Sequence, residues 1–180
     1  AADDNMLYFS AILAATGVLM IFGGLFLLSQ DLMANSGKIE RDMLLMSRIG
    51  FMFAFTVFYL FFGMSIEANM LVKGEYDHLT ADESNALALD NVNLSNYIWG
   101  SVPLAWGTAL LLLGVSAVRT VSPKKPIEWA YALPAVAGLG MITMLWHNID
   151  AAFFFAMFCA MPIGILMLTG HLKDTGADSD

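Results

Sequence analysis

Long apolar runs recur along this chain, each about the length of a helix that crosses a bilayer, and they restrict the fold more than any motif does. A transmembrane helix rises about 1.5 Å per residue and has roughly 30 Å of hydrocarbon to cross, so it needs about 20 predominantly apolar residues. The stretches 7–29, 49–71, 97–118, 127–146 and 151–170 meet that requirement. Charged residues, Pro, or Asn and Asp flank each of them, and the second could begin as early as Met43. The expected fold is therefore all-α: a single membrane domain over 1–180, built as a polytopic bundle of about five helices with an outer loop at 72–96.

Composition agrees. Hydrophobic residues make up 58% of the chain, too many for a soluble domain that must cover its surface with polar groups. The bilayer is the first expected partner. Eight Lys and Arg stand against sixteen Asp and Glu, a net charge of -8 that leaves no basic surface for nucleic acid. The start, Ala1-Ala2-Asp3-Asp4-Asn5, leads into an apolar run longer than the core of a signal peptide, so the run reads as a retained helix. An initiator methionine or a signal peptide removed before Ala1 would both leave such a terminus.

Orientation follows from the bias of Lys and Arg toward the cytoplasmic ends of membrane helices. Lys38, Arg41, Arg48, Arg119, Lys124, Lys125 and Lys173 fall on one side of the expected bundle, and Lys73 alone on the other. That places the N-terminus outside and the C-terminus in the cytoplasm, in the cytoplasmic membrane of a prokaryote. In the outer loop, Thr80-Ala81-Asp82-Glu83 has capping-box spacing and predicts a short surface helix.

The sharpest polar cluster is Trp146-His147-Asn148-Ile149-Asp150, between the fourth and fifth spans. An imidazole with a carboxylate three residues on suits a metal or a proton relay, and Met144, one turn before His147, would add a thioether. The plainer reading has the greater weight: Asp150 as an N-cap, with His147 and Asn148 serving the end of the preceding helix. Met157, Cys159 and Met161 would extend the set into a Cu(I) site, but thirteen methionines are spread over the chain and Met commonly fills gaps between helices. Haem is also a subordinate reading, because His78, His147 and His171 fall at unmatched depths. Cys159 is the only cysteine, so no disulfide forms within the chain.

Glu67 and Arg48 are the ionisable residues nearest the apolar runs, and both are expected at a boundary, with Arg48 snorkelling toward Arg41. Thr16, Thr56, Thr108 and Ser116 are expected to bond within their own helices rather than mark a pathway. Gly100, Gly107 and Gly114 recur every seven residues and predict a stripe for close helix packing. Pro103, Pro134 and Pro162 fall inside expected spans and predict kinks. Phosphate loops, nucleophile elbows and hydrolase triads have no counterpart here.

No catalytic constellation stands out, and few polar groups fall at mid-membrane. The expected role is a non-catalytic accessory or structural subunit of a larger membrane complex, of a redox, respiratory or oxygenase type, with other membrane subunits as partners. The alternatives are a small transporter or channel acting as a homo-oligomer, and a metal or redox site near His147.

Overall fold

The computed structural model describes residues 2–144, Met157, 161–170 and Leu172. The described residues form helices α1 (Ala2–Ala34), α2 (Lys38–Val72), α3 (Ala81–Trp99), α4 (Val102–Val121) and α5 (Leu133–Met144), with a 3-10 segment at Pro126–Ala132. Residues 161–168 are also helical. The fold is all-α. Three helical stretches, Ile12–Ala34, Lys38–Val72 and Ala81–Val121, are long and apolar enough to cross a membrane.

Helix ends follow local chemistry. Lys73, Gly74 and Glu75 turn their N–H groups back onto Asn69, Leu71 and Met70, and Gly74 takes the positive φ (+70°) that closes α2. Thr80 and Glu83 then form the expected capping box, in which Glu83 accepts from the Thr80 N–H at 2.9 Å and the Thr80 hydroxyl accepts from the Glu83 N–H at 3.4 Å. α4 ends at Ser122, which is left-handed (φ 50°), and Pro123 follows where no helix need continue.

Several expected boundaries are corrected. The loop expected at 72–96 shrinks to residues 73–80, because the helix expected from the Thr80 capping box runs on as α3 to Trp99 and packs along the end of α2. The expected span 97–118 is interrupted: Gly100 and Ser101 separate α3 from α4. Pro103 lies in the first turn of α4, where its missing N–H has no helical acceptor to lose, so it starts a helix rather than kinking one. Pro134 likewise falls in the first turn of α5, which begins only after the 3-10 segment that occupies the start of the expected span 127–146. α1 and α2 exceed the expected 7–29 and 49–71 at both ends. The expected span 151–170 lies partly outside the described residues.

One register organises the core. α3 and α4 together run antiparallel to the full length of α2. Ala88 clusters with Ala68 and Leu71, Trp99 stacks near Phe58 and Phe61, Ala109 meets Ser47 and Gly50, and Arg119 pairs with Glu40. α1 lies antiparallel on another side of α2, with Phe22 against Phe51 and Phe55 and the Tyr59 hydroxyl donating to the Ala15 carbonyl at 3.2 Å. α5 closes on α4. Leu32, Leu44, Phe51, Leu110, Leu113 and Met141 are fully buried at the meeting of these helices.

Candidate functional site

Glycine decides how near α5 comes to α4. A Cβ at Gly107 would sit 2.9 Å from Ile142 Cγ1, and one at Gly114 would sit 2.7 Å from Ala135 Cβ. Gly138 faces back onto Gly107 and Leu111. Gly100 does not join this contact: it caps α3, its N–H donating to the Asn96 carbonyl while the Ser101 N–H donates to the Ile98 carbonyl. Of the polar cluster, His147 and Asp150 lie outside the described residues, as does Cys159, and Met144 is the last residue of α5. Among the described residues no group of three or more His, Cys, Asp or Glu side chains gathers as a metal site would require.

Arg48 is placed by α2 in its seam with α1. Its guanidinium lies 4.0 Å from the centre of the Phe26 ring, and Nη1 approaches the Met33 sulfur at 3.6 Å. Nε is buried and has no hydrogen-bond partner. A helical side chain leans toward its own N-terminus, so Arg48 leans toward the end of the bundle that holds Lys38, Arg41 and Arg119. Glu40 at that end is engaged with Arg119 of α4 at 2.6 Å. The site is thus a cation held by an aromatic face and a thioether, with no carboxylate of the described residues against it.

Directly along the seam from Arg48 runs an apolar cleft of about 160 Å³, lined by Phe22, Gly23 and Phe26 of α1 and by Met52 and Phe55 of α2. Gly23 leaves it open, since a Cβ there would have nothing within 4 Å. On the far side of α1 a larger groove of about 540 Å³ separates that helix from the 161–168 segment. Gly17, Gly24 and Gly164 line it, together with Met161, Met167 and Asp31. These glycines also have open space where a side chain would stand.

At the other end of α2, Glu67 is half-buried and accepts from the Tyr76 hydroxyl at 2.8 and 2.9 Å. That bond favours the neutral phenol and, with burial and the charges of Glu67 and Glu75, holds the Tyr76 pKa above its ordinary value. Tyr76 and Leu79 then pack on the small cluster of Ala68, Leu71 and Ala88.

α3 has an inverted pattern. It buries Ser84, Ala88 and Ser95 against α2 and turns Leu87, Leu94 and Tyr97 outward, Tyr97 being 82% exposed. Small residues let α3 approach α2 closely, and the spacing 84, 88, 95 keeps them on one face. Positions 87, 94 and 97 make a second stripe, apolar and open. The sequence carried this signal in the spacing of serine and alanine, though leucine would ordinarily be read as the buried face.

Ser116 departs from expectation as well. Its hydroxyl is buried with no hydrogen-bond partner, whereas Thr16 and Thr56 do bond within their own helices, to Ile12 and Met52 carbonyls.

No family model, no curated protein and no solved structure matches the chain.

Proposed function

We propose that this chain is a non-catalytic accessory subunit of a larger integral membrane complex, multi-pass in the cytoplasmic membrane of a prokaryote. In this reading the N-terminus faces outside and the C-terminus the cytoplasm, as the bias of Lys and Arg favours. The observation that carries the proposal is the outward face of α3. α2 has 35 residues and is about 52 Å long, well beyond the roughly 30 Å of the hydrocarbon layer. α3 packs on its far end, among acidic residues, and there presents Leu87, Leu94 and Tyr97 in a row. An apolar stripe rimmed by polar groups marks a protein contact more readily than a solvated surface. A neighbouring subunit of the same membrane would bury it.

The test is gentle extraction from the native membrane followed by native mass spectrometry with metal and haem analysis. Wild-type protein is expected to travel with other chains at fixed stoichiometry, and the metals or haems of those chains would identify a redox, respiratory or oxygenase assembly. A Leu87→Ser, Leu94→Ser double variant is expected to fold with unchanged helicity and to leave the complex. A homo-oligomer that contains no other chain would overturn the proposal and favour transport.

A further inference from the structure

We infer that the seam between α1 and α2 is a binding site for one anionic glycerophospholipid, with its phosphate on Arg48 and Arg41 and one acyl chain in the cleft beyond Phe26. Three observations meet at this place. First, Arg48 carries a full positive charge, its Nε is buried without an acceptor, and its neighbours are the Phe26 ring and the Met33 thioether. Thioether sulfur is a weak acceptor and a ring face none of the usual kind, so among the described residues the half-buried guanidinium has no anion against it.

Second, the surrounding charges favour an anion from outside the chain. Positions 41, 48, 52, 55 and 59 fall on one stripe of α2, seven, four, three and four residues apart. Arg41 is exposed on that stripe and makes no ion pair among the described residues. Among the described residues the carboxylates nearby are turned away: Glu40 is held by Arg119, Asp42 is exposed off the stripe, and Asp31 borders the groove on the far side of α1. Two guanidinium groups on one face suit a phosphate, which accepts several charge-assisted hydrogen bonds.

Third, the space next to the charge has the chemistry of a hydrocarbon chain. The cleft is lined almost wholly by carbon, opens sideways, and shares Phe26 with the arginine site. From Arg48 to Tyr59, whose hydroxyl bonds the Ala15 carbonyl, α2 rises about 16 Å, so the seam is long and narrow rather than round. A free phosphate would leave it empty, and a partner's helix is too wide for a slot of about 160 Å³. Basic pockets between membrane helices, at the end where Lys and Arg gather, are where anionic headgroups are held.

The experiment uses the full chain in detergent micelles, with native mass spectrometry to count retained lipid after addition of dioleoyl phosphatidylglycerol or dioleoyl phosphatidylcholine. Wild type is expected to retain one phosphatidylglycerol with about tenfold preference over phosphatidylcholine. Arg48→Gln is expected to abolish the preference, and Arg48→Lys to keep part of it, since the ammonium holds charge without the fork. A Cβ at Gly23 would meet nothing within 4 Å, so Gly23→Leu projects its side chain into the slot, and it is expected to lower retention of phosphatidylglycerol about tenfold while thermal unfolding in micelles stays unchanged. Equal retention of the two lipids by wild type would overturn the proposal. So would phosphatidylglycerol binding that survives Gly23→Leu, or displacement of the lipid by millimolar inorganic phosphate, which would identify a free-anion site. Displacement by a co-purifying protein through the same arginine would overturn it in favour of a subunit contact.

Discussion

The Ser47 hydroxyl donates to the Ala109 carbonyl at 2.7 Å, across the buried contact where Gly50 of α2 lets α4 draw close. A side chain on one helix thereby fixes the register of another. Hydrogen bonds of this type between membrane helices contribute about 0.6 kcal/mol on average. Ser47→Ala is expected to lower stability by about that amount, read as a shift in the unfolding midpoint in mixed micelles. A loss several times larger would mean that register, and not one bond, depends on Ser47.

Glycines on the two sides of the bundle are expected to respond differently. Gly114→Leu forces a side chain into the backbone and Cβ of Ala135 and is expected to separate α5 from α4, with a loss of about 3 kcal/mol or more. Gly24→Leu projects into the open groove and is expected to leave the isolated chain as stable as wild type. Thermal unfolding of the purified variants in micelles compares the two directly.

The Tyr76–Glu67 bond sets an alkaline limit. Because the folded phenol titrates above its ordinary value of 10.0, folding gains stability while Tyr76 is protonated, and loses that gain as pH rises through the raised folded value. Stability compared between wild type and Tyr76→Phe is therefore expected to differ at neutral pH and to converge at strongly alkaline pH. A difference that stays constant into the alkaline range would assign the effect to packing on Leu79 and Ala88 instead.

Removing the cap of α3 tests whether that helix stands on its own start. Thr80→Ala deletes the side-chain acceptor for the Glu83 N–H and is expected to cost about 1 kcal/mol, confined to the first turns of α3. Faster amide exchange at residues 81–86, with α2 unaffected, is the expected pattern. Exchange that also rises throughout α2 would show that the two helices open as one unit.

Much of the fold was legible because hydrocarbon imposes a simple rule: apolar length makes helices, and the runs at Leu7 and Ile49 lie within α1 and α2. The capping box at Thr80 was equally plain, since its geometry is local. α3 was hidden by its own composition, for a helix that buries Ser84 and Ser95 and exposes Leu87 reverses the rule by which buried faces are recognised. The prolines misled for a related reason. Pro103 disrupts a helix interior but suits a first turn, and only the break at Gly100 decides which applies. For the site, Arg48 was visible as a charge near a boundary, yet the want of an acceptor at Nε depends on what α1 places opposite it, and that comes from tertiary packing.

α2 continues from Lys38 to Val72 without a joint, and the same rod carries Arg48 near one end and the seat of α3 near the other. A rod of this kind transmits tilt. With the proposed subunit contact and the proposed lipid site both in place, a neighbour that leans on Leu87 and Leu94 would move the arginine stripe in the opposite sense, and occupancy at one end of the rod would become mechanical leverage at the other.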